Sequence, residues 1–533
     1  MSAGLGMGIS PAVANPSMPW PDGLETSALR VQAVKAFAAG IADNDSEAIQ
    51  VGWQGKQGWD KAVRRAEVNA TAAEDPAAFG LTLRTLYASY PSLHSRIDLR
   101  SDLDYRTTLG HRSIPFTMKV RELGPDIIPD AVLIADTAKV QIGLAGPGAA
   151  VGDQVLTING RPIGHWLSKS AQVCRRNSRW QCYGDFDKQL RTGLLGWDPR
   201  RPLTLGISRN GSRKTITYQA PSTPDPADPR VRTGCGQDDE RYEGFTAVYT
   251  GWNLCAFRSA ARPGVEIWRL KSFSYGTEAT FDSPKTEVEG LWEKHWSTAA
   301  SSVKELIIDV SGNGGGDVPL PWYSLLFDQP YQEQYAQYRR LKAFDDPAIA
   351  AELPDDQAHE RWLAGIKLTN SRAWRNVGGY LPPVAMFCAE EDLTCEGTLV
   401  KPKPHGFAGK VSLILDDNCV SSCSGFAWNI LAKLGPRANA FGLPDSGDSN
   451  FRRLPLTLHY REGIWRTALG TNAAQQDKPI ATVNVMVTRT TTSDGQVISG
   501  QSLPVRTVIH RRWDDTARSW TGRVLEEILQ SRP

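Results

Sequence analysis

Two short, largely apolar segments constrain the fold of this chain more than any other feature of its sequence. Residues 305–310, ELIIDV, run directly into SGNGGG, and residues 411–415, VSLIL, run into DDNCVSSCSGF. A short run rich in Ile, Leu and Val that is bounded by turn residues is typical of a strand buried on both faces of a parallel sheet. Helical patterns alternate with such strands from residue 242 onward, so the sequence predicts an α/β core over 242–533.

Taken as a whole, the sequence predicts an α+β protein of several domains, because a chain of 533 residues is too long to fold around one hydrophobic core. Residues 1–20 predict a disordered N-terminus or the remnant of a signal, with Ala12-Val13-Ala14 suited to a signal cleavage site. Residues 21–113 carry apolar side chains at helical spacing, which predicts an N-terminal helical subdomain. Residues 221–241, rich in Pro, Asp and Arg, predict a linker.

A long aromatic and charged insertion, residues 328–408, separates the two apolar strands. Tyr331, Tyr335 and Tyr338 follow one another at helical spacing, which favours a helix there. The insertion serves either as a lid or wall of a site, or as a satellite subdomain that has no part in access.

Short β segments separated by turn residues occupy residues 114–220. The segment VGDQVLTINGRPI predicts a strand that turns at Asn159-Gly160, and residues 203–218 predict a hairpin that turns at Asn210-Gly211. The first segment resembles the GD-x-(I/V)-L-x-(I/V)-NG stretch of PDZ domains. The resemblance implies a PDZ-like domain that binds extended peptide as an added strand. A small barrel that serves only as a spacer is the alternative.

The eight cysteines fall into four local pairs: Cys174 with Cys182, Cys235 with Cys255, Cys388 with Cys395, and Cys419 with Cys423. An even number in such couples favours disulfides, so we expect a periplasmic or secreted protein. Zinc is the competing interpretation, but no C-x2-C pair with a matching second half occurs, and the couples lie far apart in sequence.

The overall charge argues against two classes of partner. Sixty Lys and Arg against 58 Asp and Glu leave a net charge of +2, which provides no general field to hold nucleic acid or an anionic membrane. No segment approaches the roughly 20 consecutive apolar residues that span a bilayer.

The glycine run after residue 310 has the composition of an oxyanion hole. Backbone N–H groups at the C-terminal end of a buried strand can stabilise developing negative charge, and consecutive glycines let the main chain approach a substrate closely. A phosphate cradle or a plain turn would use the same residues. The lysine and serine of a nucleotide-binding P-loop are missing, which excludes that motif.

The serines between Cys419 and Cys423 are candidate nucleophiles. A serine at the end of one buried strand that faces glycine N–H groups at the end of a neighbouring strand provides the two parts of acyl-transfer chemistry. A helix that begins after Ser422 would direct its positive end to the same place. The alternative is that Ser421 and Ser422 are ordinary turn and helix-capping residues.

The order of these parts resembles the C-terminal processing peptidases, or tail-specific proteases, and their tricorn core relatives. The resemblance covers roughly residues 80–530 and rests on a helical N-terminal piece, a PDZ-like insert, strand-D-x-x-G-N-x-GG and strand-x4-S-S-x-S-x-F-A. It implies a crotonase-like β/α catalytic core and a serine peptidase that needs no cofactor or metal and acts on peptide or protein substrates. Ser421 then corresponds to the nucleophile, and Ser422 with Gly314 or Gly315 to the oxyanion hole.

The residue that serves as general base must differ from that of the processing peptidases. Their lysine position is occupied here by Asp448, and the glutamate three residues after their nucleophile is Ser424. The tricorn-like branch uses a histidine before the PDZ domain instead, and the segment ending in Pro91-Ser92-Leu93-His94 resembles that motif. We therefore predict His94 as the base, with His111 as its nearest rival. No acid to orient the imidazole is evident, because the expected segment offers Ser499 and Val505.

The favoured interpretation is a serine endopeptidase with a histidine base. A catalytically inactive peptide- or ligand-binding protein on the same scaffold is the alternative, because the family's lysine and glutamate are both lost.

Overall fold

The computed structural model describes residues 19–104, 114, 116–136, 148–197, 202–218, 241–275, 283–317, 319–332, 335–351, 363, 364, 366, 367, 370–385, 399–404, 407–447, 452–471, 479–492 and 495–531. These residues form helices together with sheets of two to seven strands. The predicted mixture of α and β structure is confirmed.

A seven-stranded sheet lies at the centre of the segment that begins at residue 241. Its strands, numbered along the chain, are β23 (Thr507–Val508), β18 (Ala438–Gly442), β17 (Lys410–Leu415), β12 (Glu305–Asp309), β11 (Val265–Leu270), β10 (Leu254–Arg258) and β9 (Thr246–Thr250). The strands from β23 to β11 run parallel, and β10 and β9 continue antiparallel. β17 and β12 lie side by side, so the two apolar runs of the sequence are neighbours.

Both faces of this sheet are covered, which explains why its central strands are apolar throughout. Leu306 and Ile308 belong to an apolar cluster with Trp296, whereas Ile307 belongs to another cluster with Trp520. The covering helices are α8 (Pro284–Leu291), α13 (Ser422–Leu434) and α14 (Ala517–Gln530). A π turn, the short helix α9 (Ser297–Ala299) and a 3-10 turn continue α8.

A second, six-stranded sheet lies earlier in the chain. It comprises β2 (Thr117–Val120), β4 (Val132–Asp136), β5 (Gln154–Ile158), β7 (Leu203–Arg209) and β8 (Ser212–Tyr218), with β6 (Arg161–Pro162) paired to β5. The helices α5 (Ile163–Gln172), α6 (Arg179–Gly184) and α7 (Phe186–Arg191) are inserted between β6 and β7. Positive φ angles at Asn159, Gly160, Asn210 and Gly211 confirm the two predicted turns.

The N-terminal helices pack against strands from near the end of the chain. The helices are α1 (Ser27–Asn44), α2 (Ala48–Val51), α3 (Gly55–Ala72) and α4 (Pro76–Tyr87). The sheet beside them consists of β1 (Ile97–Leu99), β21 (Ala481–Met486), β19 (Arg453–Arg461) and β20 (Ile464–Leu469). One apolar cluster includes residues from both sets, so the N-terminal helices share a core with strands that lie more than 350 residues later in the chain.

The favoured helix at Tyr331, Tyr335 and Tyr338 is wrong. Tyr335–Tyr338 is a strand, β14, and it pairs with the strands β15 (Val384–Ala385) and β22 (Thr488–Thr491), while β13 (Tyr331–Gln332) pairs with β16 (Leu399–Val400). Pairing with distant segments overrides the local spacing. Short elements complete the chain: β3 (Glu122–Leu123), β24 (Arg511–Arg512), α10 (Leu320–Tyr323), α11 (Pro347–Ala351) and α12 (Ser371–Arg375).

Two of the predicted disulfides are present. Cys174 is bonded to Cys182, and Cys419 to Cys423. Cys255 is also disulfide-bonded, but its predicted partner Cys235 and the pair Cys388 and Cys395 lie outside the described residues. The predicted linker lies outside them as well, apart from Arg241. No helix in the described part of the chain is long and apolar enough to cross a membrane.

A buried carboxylate fixes the end of β12. Asp309 is fully buried, and the Nη1 atoms of Arg241 and Arg269 each lie 3.5 Å from its carboxylate. The Tyr242 hydroxyl donates to it at 2.6 Å. Burial opposes ionisation, but Arg269 and Arg241 hold the pKa of Asp309 below its usual value. The charge at this position therefore stabilises the strand end that precedes the glycine turn.

Replacing Asp309 by Asn is expected to lower the free energy of unfolding by about 3–5 kcal/mol, because it leaves the buried Arg269 without its countercharge. The same substitution at Asp60, in the exposed pair with Lys56, is expected to cost less than about 1 kcal/mol. Urea denaturation of both variants tests the difference, and equal losses would contradict it.

Candidate active site

The glycine turn and the serine turn meet at one edge of the seven-stranded sheet. β12 and β17 are parallel and in register, with Asp309 opposite Ile414, so both turns emerge at the same edge. The Gly312 N–H donates to Asp416 Oδ1 at 2.9 Å, which joins the two turns directly. The Ser422 hydroxyl donates to the Gly316 carbonyl at 2.9 Å, which forms a second link.

Gly315 lies directly against Ser421 where the two turns meet. A Cβ atom on Gly315 would lie 2.6 Å from the Val420 carbonyl oxygen and 2.7 Å from Ser421 Cβ. Gly315 also has a φ of +85°, which an L side chain rarely adopts. Glycine is therefore required at this position, both by the backbone conformation and by the space available.

Ser421 has the backbone of a strained turn residue. Its φ of 63° and ψ of −131° lie outside the regions that serine normally occupies, and such outliers are concentrated at functional sites. The residue is half-buried and immediately precedes α13. Its side chain makes no capping hydrogen bond to a described amide, so the helix-capping alternative does not account for it.

Three features restrain Ser421 from the side of the helix. The 13 residues of α13 direct the positive end of the helix dipole towards it. The Ser421 carbonyl accepts the Gly425 N–H at 3.0 Å within the first turn. The disulfide between Cys419 and Cys423 closes the loop around it. The turn is thus fixed by covalent and hydrogen bonds on both sides of the serine.

The three predicted oxyanion donors are not equivalent. The Gly315 N–H donates to Asn313 Oδ1 at 2.8 Å, so this amide is already hydrogen-bonded within the glycine turn. A Cβ atom on Gly314 would meet no atom within 4 Å, so the space beside Gly314 is open. The Ser422 N–H lies at the first residue of α13, where a helix leaves its amides unsatisfied. Gly314 and Ser422 remain as candidate donors.

His94 lies between α4 and β1 and is half-buried. Its carbonyl accepts a hydrogen bond from Arg453 Nη1 at 3.1 Å. The carbonyls of Ser92 and Ser95, on either side of it, accept hydrogen bonds from Arg175. The rival base His111 lies outside the described residues.

One loop contacts both the histidine segment and the serine segment. Arg175 reaches the carbonyls beside His94, and the next residue, Arg176, donates through Nη1 to the Asp417 carbonyl and to Ser446 Oγ, both at 2.8 Å. The structure thus brings the segments that contain His94 and Ser421 to the same loop, although they are far apart in sequence.

Buried charges surround the serine turn. Arg511 Nη2 lies 3.0 Å from Asp416 Oδ2, and its Nη1 lies 3.6 Å from Asp417 Oδ1. Burial and the neighbouring Asp416 raise the pKa of Asp417, while Arg511 and Arg176 oppose that increase. No three His, Cys, Asp or Glu side chains among the described residues are arranged to hold a metal ion.

Sequence reasoning missed a buried serine and carboxylate pair that joins α13 to the turn after β18. The Ser424 hydroxyl donates to Asp445 Oδ2, and the Leu503 N–H donates to Asp445 Oδ1 at 2.6 Å. Burial raises the pKa of Asp445 to about 6, although these hydrogen bonds lower it. The only sequence signal is that Asp445 lies in the turn after β18. Asp448, at the family's lysine position, lies outside the described residues.

The fold matches solved structures of CPAF. A serine-to-alanine mutant of CPAF has 13% sequence identity and a TM-score of 0.60, and the match covers 95% of this chain and 99% of that one. Mature CPAF has 14% identity and a TM-score of 0.57, with 93% and 96% covered. Its complex with lactacystin has 13% identity and a TM-score of 0.56, with 94% and 97% covered.

Two further structures match more weakly, the photosystem II D1 C-terminal processing protease and the tricorn protease, each at a TM-score of 0.32, which is too low to support an argument. No protein-family model and no curated protein matches the sequence. The match to CPAF over nearly the whole chain confirms the predicted resemblance as a likeness of fold, which at these identities leaves function to be argued from the site.

Replacing Gly315 by Ala is expected to lower the free energy of unfolding by about 1–3 kcal/mol, because the new methyl group overlaps Val420 and Ser421. Gly314→Ala, one residue away in open space, is expected to change it by less than about 0.5 kcal/mol. Thermal unfolding of the two variants distinguishes the positions, and the account is wrong if Gly315→Ala is as stable as Gly314→Ala.

The stability contributed by Asp445 is expected to fall as pH rises. With a folded pKa of about 6 and an unfolded value of about 4, the native state binds the proton more tightly. This contribution is present below pH ~4 and is lost through pH ~6, and it amounts to at most about 3 kcal/mol. Asp445→Asn should therefore become more stable relative to the parent between pH 4 and pH 7.

Urea denaturation of both proteins at several pH values measures this trend. Asp309→Asn is the control: the pKa of Asp309 is lowered, so its contribution should stay constant between pH 4 and pH 7 and be lost only as pH falls below about 4. A stability difference between Asp445→Asn and the parent that does not change between pH 4 and pH 7 would refute the assignment.

Proposed function

We propose that this chain is a serine endopeptidase in which Ser421 attacks the carbonyl carbon of a peptide bond. The observation that carries the proposal is the strained Ser421 backbone, held against Gly315 at the N-terminal end of α13. This arrangement places a hydroxyl beside a glycine turn and unsatisfied helix amides, which together provide a nucleophile and the surroundings for an oxyanion. The likeness of fold to CPAF over nearly the whole chain supports it.

His94 acts as the general base in this mechanism. It accepts the Ser421 proton as the Oγ–C bond forms, and the N–H groups of Gly314 and Ser422 stabilise the negative charge on the carbonyl oxygen. The imidazolium then protonates the leaving amine as the C–N bond breaks, which leaves an acyl-enzyme. Water, deprotonated by His94, releases the acid and restores the serine.

Two other parts of the fold are assigned roles in the same proposal. The seven-stranded sheet with its covering helices is the crotonase-like catalytic core, and the six-stranded sheet is a PDZ-like domain that engages peptide by strand addition. The disulfides Cys174–Cys182 and Cys419–Cys423 favour an oxidising compartment, periplasmic or extracellular.

A fluorophosphonate probe tests the nucleophile and the base together. We expect it to label Ser421, and labelling to fall by about 100-fold or more in His94→Ala because the base is lost. Ser422→Ala is the matched control, since alanine retains the backbone N–H and removes only the hydroxyl that bonds Gly316. Mass spectrometry of the labelled peptide identifies the residue.

A folded protein that the probe leaves unlabelled would favour the catalytically inactive binding protein. Labelling that rises with pH through roughly 6 to 8 would match a histidine base. A rise only above pH ~9 would indicate a lysine base instead.

A further inference from the structure

The loop that the Cys174–Cys182 disulfide closes lies between the two halves of the candidate site. It connects α5 to α6, and therefore belongs to neither the histidine segment nor the serine segment. Its side chains nevertheless make hydrogen bonds to the main chain of both. We call residues 174–182 the clamp loop.

Arg175 fixes the main chain on both sides of His94. Its Nε donates to the Ser92 carbonyl at 3.0 Å, and its Nη2 donates to the Ser95 carbonyl at 2.5 Å and also to that of Ser92. The guanidinium stacks over the Tyr87 ring at 4.7 Å, and the Tyr87 hydroxyl donates to the Ser95 carbonyl as well. The planar guanidinium thus binds the main-chain carbonyls of Ser92 and Ser95, which flank His94.

Arg176 fixes the turn that leads to Ser421. Its Nη1 donates to the Asp417 carbonyl and to Ser446 Oγ, and its Nε and Nη2 are held by Asp185 at 3.0 and 3.3 Å. Ser446 in turn donates its hydroxyl to the Asp417 carbonyl at 2.6 Å and its N–H to the Cys419 carbonyl at 2.9 Å. Arg176 is therefore connected to the main chain two residues before Ser421.

Further hydrogen bonds connect the clamp loop to the turn that follows β18. Asn177 Nδ2 donates to the Ser446 carbonyl at 2.9 Å, and Gln181 Nε2 donates to the Asp445 carbonyl at 2.8 Å. The Gln181 side chain is fully buried. Because the two arginines are consecutive, the His94 and Ser421 segments are linked through one peptide unit and two side chains.

We propose that the clamp loop is a positioning device that holds His94 and Ser421 at reacting distance, with Arg175 acting through His94 and Arg176 through the serine turn. This inference rests on the proposed peptidase function, but it also makes a claim about structure alone. Arginine suits the role because its planar fork donates to two acceptors at once, which a lysine does not reproduce. Neither arginine contacts the reacting atoms in this assignment, so both are positioning residues.

The activity test uses labelling of Ser421 by the fluorophosphonate probe. Arg175→Ala is expected to slow labelling by about 10-fold or more, because a displacement of about 1 Å at a catalytic group has effects of that size. In the His94→Ala background the same substitution should slow labelling less than about 2-fold, because its effect passes through the imidazole. Equal slowing in the parent and in the His94→Ala background would overturn the role of Arg175. That result would mean that the substitution lowers the amount of folded protein and does not act through His94.

Arg179→Ala is the matched control. Arg179 belongs to the same loop, is exposed, and donates through Nε to the Tyr183 hydroxyl within its own helix. Arg179→Ala should therefore leave both the labelling of Ser421 and the thermal stability unchanged. Arg176→Ala should slow labelling in both the parent and the His94→Ala backgrounds, because it acts on the nucleophile.

Hydrogen exchange tests the clamp without reference to catalysis. Amides of residues 92–97 should exchange faster in Arg175→Ala, amides of 417–424 faster in Arg176→Ala, and both faster when Cys174 and Cys182 are replaced by Ser. Unchanged exchange in these segments, or the same increase throughout the protein, would overturn the clamp. If the parent protein is never labelled, the peptidase proposal fails while exchange still decides the structural claim.

Discussion

The close approach of Gly315 to Ser421 is the contact on which the rest of the site depends. The serine backbone is strained, with a positive φ that a non-glycine residue rarely adopts. The neighbouring turn holds it because a residue without a Cβ allows the two main chains to touch. The parallel register of β12 and β17 brings these turns together, so the site is a consequence of the sheet.

Buried charges then keep the two turns in place. Asp309 secures the end of β12 through two arginines, and Asp416 accepts the Gly312 N–H while it is paired with Arg511. On the other side of α13, Asp445 accepts hydrogen bonds from Ser424 and Leu503. Each carboxylate lies at or within three residues of the end of a parallel strand, so this edge of the sheet carries acids that accept main-chain N–H groups.

Local signals in the sequence were sufficient to predict the strands and turns around Ser421. The apolar runs predicted β12 and β17, and the Asn-Gly pairs predicted both hairpins, because each depends on a few adjacent residues. The tyrosines of the insertion were misassigned because β14 is determined by pairing with β22, about 150 residues later. The choice between Gly314 and Gly315 as an amide donor depended on the hydrogen bond that the Asn313 side chain accepts. The clamp loop was missed because it depends on contacts between segments far apart in sequence, which a sequence pattern does not display.

The most direct test of the catalytic account is a crystal structure of the protein after reaction with a fluorophosphonate. We predict phosphorus bonded to Ser421 Oγ, a phosphoryl oxygen within hydrogen-bond distance of the Gly314 and Ser422 amides, and a ring nitrogen of His94 within roughly 3 Å of Oγ. A phosphoryl oxygen directed away from those amides, or a His94 ring far from the adduct, would contradict the account.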